Sequence, residues 1–247
     1  MESTPPTPPG IPRVAADLGE SESTHAARRR ASVAALIAGW GLLAWFLAIH
    51  QVVRMDPEAP MGSDPDERFI EFYVGNAERL TWSATVYTLQ WVLMLVLVTA
   101  VVRAVCRRLD LAALLALLLA GAATAVYVLG EAVLVWPVAQ EEATDQSVRE
   151  VLDPGVARAL LLSRDGLHAP AAVLLGVSVL LIGWLVWRSD LPGRWVMAGL
   201  SVISGGLALS SIIVGPAGLG PGLIFVLWGT VVPVLLLRGL RQAPRST

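Results

Sequence analysis

Six runs of apolar residues, each about twenty or more long, dominate the chain at positions 31–53, 82–105, 111–138, 168–187, 192–214 and 218–237. An α-helix rises about 1.5 Å per residue, so about twenty apolar residues reach across the roughly 30 Å hydrocarbon core of a bilayer. The runs are not the short alternating segments of about ten residues that build a membrane β-barrel. The pattern predicts an all-α polytopic membrane protein, a bundle of six transmembrane helices. The third run, 111–138, is the one around which the others are arranged, because it carries a single charge, Glu131, in an otherwise apolar length.

Between the runs the chain changes character. Residues 1–30 hold Pro5, Pro6, Pro8, Pro9 and Pro12 among Ser, Thr and Glu. So little apolar surface does not offset the entropy of ordering, and a disordered tail is expected there. A second tail covers 239–247. The links 54–81 and 139–167 are long and acidic. In the first, Phe69, Ile70, Phe72, Tyr73 and Val74 form an amphipathic piece; in the second, Val148, Val151 and Leu152 share a helical face before Asp153-Pro154-Gly155 breaks it. Both are expected to form short helices over one mouth of the bundle, with plain connectors as the alternative. The segment from Gly215 to Gly222 reads as a tight, uncharged turn.

Charge then sets orientation. All 18 basic residues are Arg. Twelve fall before the first run, between the second and third, between the fourth and fifth, or after the sixth; six fall in the two long links. Arginine accumulates on the cytoplasmic side, so both termini are expected in the cytoplasm, the long links outside, and the protein in the cell (inner) membrane. The composition agrees: 55% hydrophobic, 15% charged, mean hydropathy +0.65. A net charge of −2 offers no basic field for nucleic acid. Cys106 is the single cysteine, which excludes an internal disulfide and a multi-cysteine metal site.

Lipid tails are as apolar as leucine, so helices in a bilayer associate by close approach and hydrogen bonds. Small residues offer that approach at Ala120 to Ala123, at Ala169, Ala172, Gly176 and Gly183, at Ala198, Ser201, Gly205 and Ala208, and at Gly218 and Gly222. Ser201, Ser204, Ser210 and Ser211 are expected to bond back to their own helix or to pack. Arg28, Arg29, Arg30, Arg103, Arg107 and Arg108 form a basic collar facing the bilayer headgroups.

Chemistry concentrates around Glu131. Thr124, Tyr127 and Glu131 recur at i, i+3, i+7 on one helix face, and Ser83, Tyr87 and Gln90 form a matching stripe on the second run. Glu131 lies about 10 Å below the outer end of its helix, where a buried carboxylate costs at least a few kcal/mol unless partnered. Two readings follow. In one, Tyr87, Gln90, Tyr127 and Glu131 line an outward-open pocket with His50 and His168 at its rim, binding a small ligand, lipid or partner, or relaying protons. In the other, Glu131 bonds Tyr87, Gln90 or a histidine and locks helices together; snorkelling of Glu131 to the interface is a third possibility. A bis-histidine metal or haem site at His50 and His168 lacks supporting spacing. No nucleophile is paired with a base, no serine sits in a Gly-x-Ser-x-Gly elbow, and no cofactor motif is present. The sequence therefore reads as non-enzymatic, with a small proton-coupled transporter using Glu131 as the alternative and an intramembrane enzyme third. Oligomeric state is not encoded in any motif.

From Leu174 the chain reads LLGVSVLLIGWLVWRSDLPGRWVMAGLSVISGGLAL. Gly183-Trp184-Leu185, Arg188-Ser189, Leu191-Pro192 and Arg194 resemble the junction between the fourth and fifth helices of an uncharacterised family of six-helix bacterial integral membrane proteins. Asn76 to Arg79 is a fainter match, and Gly193 departs from the family pattern. The similarity covers about a fifth of the chain. It implies six helices and carries no activity or functional residue.

Overall fold

The computed structural model describes residues 14–52, 59–106, 108–144, 147–214 and 220–242. Residues 1–13, the turn around Gly218 and the side chains of His50 and Ser211 lie outside the described residues. The described chain is all-helical: α1 (Val14–Val52), α2 (Asp66–Val105), α3 (Leu111–Thr144), α4 (Val148–Val151), α5 (Pro154–Trp187), α6 (Arg194–Val214) and α7 (Gly220–Gln242). Each apolar run overlaps one of the six long helices, although the helix of the fifth run begins at Arg194 rather than Pro192. Among the described residues, Thr24–Leu47, Asp66–Val105, Leu111–Gln140 and Pro154–Trp187 are long and apolar enough to cross a membrane. Their outward faces suit lipid, with Ile37 69%, Leu118 68% and Leu129 55% exposed; water would not favour so much exposed aliphatic surface.

The structure corrects three expectations. The first helix opens at Val14 rather than near residue 31. Residues 66–81 are not a separate short helix but the first turns of α2, bent at Asn76 (φ −133°, ψ 15°). There the Asn76 amide donates to the Phe72 carbonyl at 2.8 Å, a side chain competing with the backbone ladder and turning the helix. Likewise Asp153-Pro154-Gly155 ends one helix only to start another. Asp153 accepts from the Gly155 amide at 2.9 Å as N-cap, and Pro154 takes the first helical position, where its missing N–H costs nothing. From there α5 runs unbroken through Pro170 to Trp187, so 154–167 belong to a long helix. Only α4 remains as a short helix, closed by a capping box in which the Ser147 amide donates to Glu150.

Around the ring the long helices follow the order α1, α2, α3, α5, α6, α7, and α2 reaches across to α5 and α7. Small residues set the crossings. A Cβ on Gly176 would stand 2.9 Å from the Ala208 Cβ, and one on Gly183 2.8 Å from the Ser201 Cβ, so α5 and α6 meet along the small faces anticipated for them. Ala113, Ala116, Ala120 and Ala123 are fully buried on α3, and the Ser178 hydroxyl of α5 donates to the Ala116 carbonyl at 2.8 Å. The α1–α7 crossing uses Gly39 and Gly229 instead. Between α6 and α7, the buried Trp228 indole N–H donates to the Ser201 hydroxyl at 2.9 Å, which itself donates to the Met197 carbonyl. Trp228→Phe removes that bond and three heavy atoms from a fully buried site, and is expected to cost about 2–3 kcal/mol in a reversible unfolding titration. Within α1, Arg28 donates to the Ala104 and Val105 carbonyls that end α2.

At the opposite end of the bundle, the first turns of α2, the end of α3, α4 and the first turns of α5 build a second apolar cluster. Phe69, Phe72, Tyr73, Leu80, Leu134, Val148, Leu152, Ala157 and Leu161 are buried in it. Arg158 ties its rim, donating to Asp66 at 3.0 Å and to the Gly62 carbonyl while lying over the Phe69 ring. This cap covers the residues described next.

Candidate functional site

Glu131 is 1% exposed, which rules out snorkelling. Its partners come from α5. Arg164 donates through Nε and Nη2 to Glu131 Oε1, both at 3.3 Å, and His168 Nε2 lies 3.0 Å from the same oxygen. The continuous α5 makes this possible: Arg164 and His168 stand at i and i+4, on one face, opposite Glu131. With the carboxylate ionised, His168 Nε2 carries the proton and donates it. Three donors therefore converge on Oε1, whereas the buried Oε2 has no hydrogen-bond partner among the described residues.

The imidazole is held by rings. Trp91 stacks on Tyr127 (centroids 4.4 Å apart, 20° between planes), and Tyr127 stacks on His168 (4.3 Å, 8°). Gly130 lets the two helices close on this stack, since a Cβ there would already lie 3.4 Å from the Leu167 Cβ and 3.5 Å from the His168 ring. Tyr87 lies within electrostatic reach of Tyr127. Beneath the cap, Arg164 also acts electrostatically on Tyr73, a fully buried residue whose hydroxyl lacks a partner among the described residues.

The structure thus brings together three of the residues picked out in the sequence, Tyr127, Glu131 and His168, with Tyr87 close by. Gln90 is half-buried, and among the described residues no hydrogen bond joins it to Glu131. His50 falls outside the described side chains. Thr124, on the same face as Glu131, donates to its own helix at the Ala120 carbonyl. Arg164 and Trp91 are additions. Arg164 had been assigned to a connecting segment, although its spacing four residues before His168 was visible. Trp91 lies within the second apolar run, one helical turn after Tyr87.

Chemically, the cluster is a buried ion pair with an imidazole on the same oxygen. Taking charges out of water costs several kcal/mol per ion, repaid only by good geometry and full hydrogen bonding. Here the repayment is incomplete, because Oε2 lacks a donor and the arginine bonds are long and converge on one oxygen rather than forming a fork on two. The arrangement is suited to accept a hydrogen-bond donor at Oε2. Arg164 disfavours a metal cation, and among the described residues no group of three His, Cys, Asp or Glu side chains is placed to hold one. No family model, no curated protein and no solved structure matches the chain.

Proposed function

We propose that the chain is a six-span bacterial inner-membrane protein, both termini cytoplasmic, that binds a small ligand, lipid or partner without catalysis. On this reading α1, α2, α3, α5, α6 and α7 all cross the bilayer, and α4 with the first turns of α2 and α5 forms an outer cap. The arginine distribution and the six long helices support it, and the resemblance at the α5–α6 junction is compatible with a six-helix family. The ligand meets Glu131, Arg164, His168 and Tyr127 beneath the cap and presents a hydrogen-bond donor. One observation carries the reading: Glu131 Oε2 is buried beside the half-buried Arg164 and has no hydrogen-bond partner among the described residues. A carboxylate oxygen in that state is costly unless something donates to it.

A second reading has its own support. The 3.0 Å contact between His168 and Glu131 joins two groups that exchange protons readily, as a small proton-coupled transporter would need.

Native mass spectrometry of the purified full chain in mild detergent, wild type against Glu131→Gln, tests the binding reading. The expected result is a bound mass on the wild type that disappears from a variant still folded. If both species are free of adducts and the variant only unfolds more readily, Glu131 is a packing residue and the binding reading fails.

A further inference from the structure

At the end of the bundle away from the cap, the last turn of α5 and the first of α6 carry an aromatic and basic cluster that the Glu131 site does not use. Trp184, Trp187 and Trp195 are 47%, 42% and 65% exposed. Trp184 and Trp187 meet edge to face with centroids 5.2 Å apart, and Trp187 and Trp195 lie 6.0 Å apart. The tight link makes this possible. Gly193 has φ +77°, a conformation that side chains rarely adopt, and its carbonyl accepts from Val196 and Met197 as α6 begins. Arg188 lies over Trp184 at 5.6 Å and Arg194 over Trp195 at 5.7 Å. Arg194 spends one N–H on the Ser189 carbonyl at 2.9 Å. Arg188 is exposed, and its side chain has no hydrogen-bond or ion-pair partner among the described residues.

A guanidinium resting on an indole uses its face and leaves its N–H groups in the plane free, and that planar fork matches the oxygens of a phosphodiester. Two such forks stand on one turn against the single carboxylate of Asp190. Exposed tryptophans at the end of an apolar helix are at home among headgroups, where one edge of the ring is apolar and the other wet. We propose that this turn is a binding site for an anionic glycerophospholipid, with Arg188 and Arg194 on the phosphate and the three tryptophans against the glycerol and upper acyl chains. The proposal rests on the membrane-spanning reading but not on any role for Glu131. Charge complementarity selects the anionic headgroup, and the exposed indoles select a lipid over a free phosphate.

The test uses the full chain in detergent, titrated with phosphatidylglycerol or phosphatidylcholine of identical acyl chains and followed by native mass spectrometry. Phosphatidylglycerol should be retained more than tenfold better. Arg188→Gln with Arg194→Gln should cut that retention roughly twenty-five-fold, at about fivefold per arginine near a headgroup. Arg149→Gln, an exposed arginine on α4 at the cap end, should leave it unchanged. If the double variant fails to fold, Arg188→Gln alone should still show its fivefold loss. Equal retention of the two lipids, an unchanged folded double variant, or full competition by inorganic phosphate would each overturn the proposal. So would a dimer that dissociates when these arginines are replaced, because the occupant would then be a second copy of the chain.

Discussion

Arg164→Leu is expected to destabilise the bundle by about 3–5 kcal/mol, because it strands the Glu131 carboxylate in a site where that residue is 1% exposed. His168 remains, but one imidazole donor at 3.0 Å does not replace a full positive charge. Glu131→Gln is expected to be milder, since the amide oxygen still accepts from His168 and the 18% exposed Arg164 side chain can hydrate. The pair is the decisive comparison. In the Arg164→Leu, Glu131→Gln double variant no charge is left unpaired, so it should be more stable than Arg164→Leu alone, with a coupling of about 1–3 kcal/mol. Reversible unfolding in a denaturing detergent measures all three. Additive losses would mean that the two side chains do not form an ion pair.

The second large effect is at the α1–α7 crossing. A Cβ on Gly39 would fall 1.8 Å from the Gly229 carbonyl oxygen, a backbone atom that cannot swing aside. Gly39→Ala therefore forces the two helices apart, with an expected loss of about 3 kcal/mol or more, at the upper end of overpacking costs. Gly41, two residues further on, has nothing within 4 Å of its Cβ position. Gly41→Ala should be neutral or slightly stabilising, because alanine is the better helix former. Thermal unfolding of the two variants side by side separates steric exclusion from helix propensity.

These sites differ in how far the sequence revealed them. The apolar runs located all six long helices, because a length near twenty residues is a coarse and robust signal. The α5–α6 interface was equally legible: Gly176 and Gly183 on one helix and Ser201, Gly205 and Ala208 on the next have the spacing of facing stripes, and those are the residues that meet. The Gly39–Gly229 contact was hidden, since nothing in the spacing sets Gly39 apart from Gly41 or Gly229 from the other glycines of α7, and only the tertiary arrangement brings the two together. Glu131 stood out as a lone charge, and its histidine partner was among those named for it. Arg164 escaped because a Pro-Gly pair was read as a break, whereas Asp153 and Pro154 are a helix start. That error shortened α5 by fourteen residues and removed the main counter-charge from view. The bend at Asn76 similarly concealed that the aromatic piece at Phe69 to Tyr73 continues into a membrane-length helix.

Both functional proposals depend on which side of the membrane each end faces, and single-cysteine labelling reads this directly. The native Cys106 thiol is a poor reporter: burial pushes its pKa up, the nearby Asp110 adds to the rise, and Arg28 offsets part of it. Its reaction with maleimide at neutral pH should accordingly be slow and should quicken in more alkaline buffer. In a Cys106→Ser background, Ser63→Cys reports on the exposed link ahead of α2, and Asp190→Cys on the turn between α5 and α6. A membrane-impermeant maleimide applied to intact cells should label Ser63→Cys, and should reach Asp190→Cys only after the membrane is opened. Labelling of both from the same side, or of Asp190→Cys alone from outside, would contradict the account.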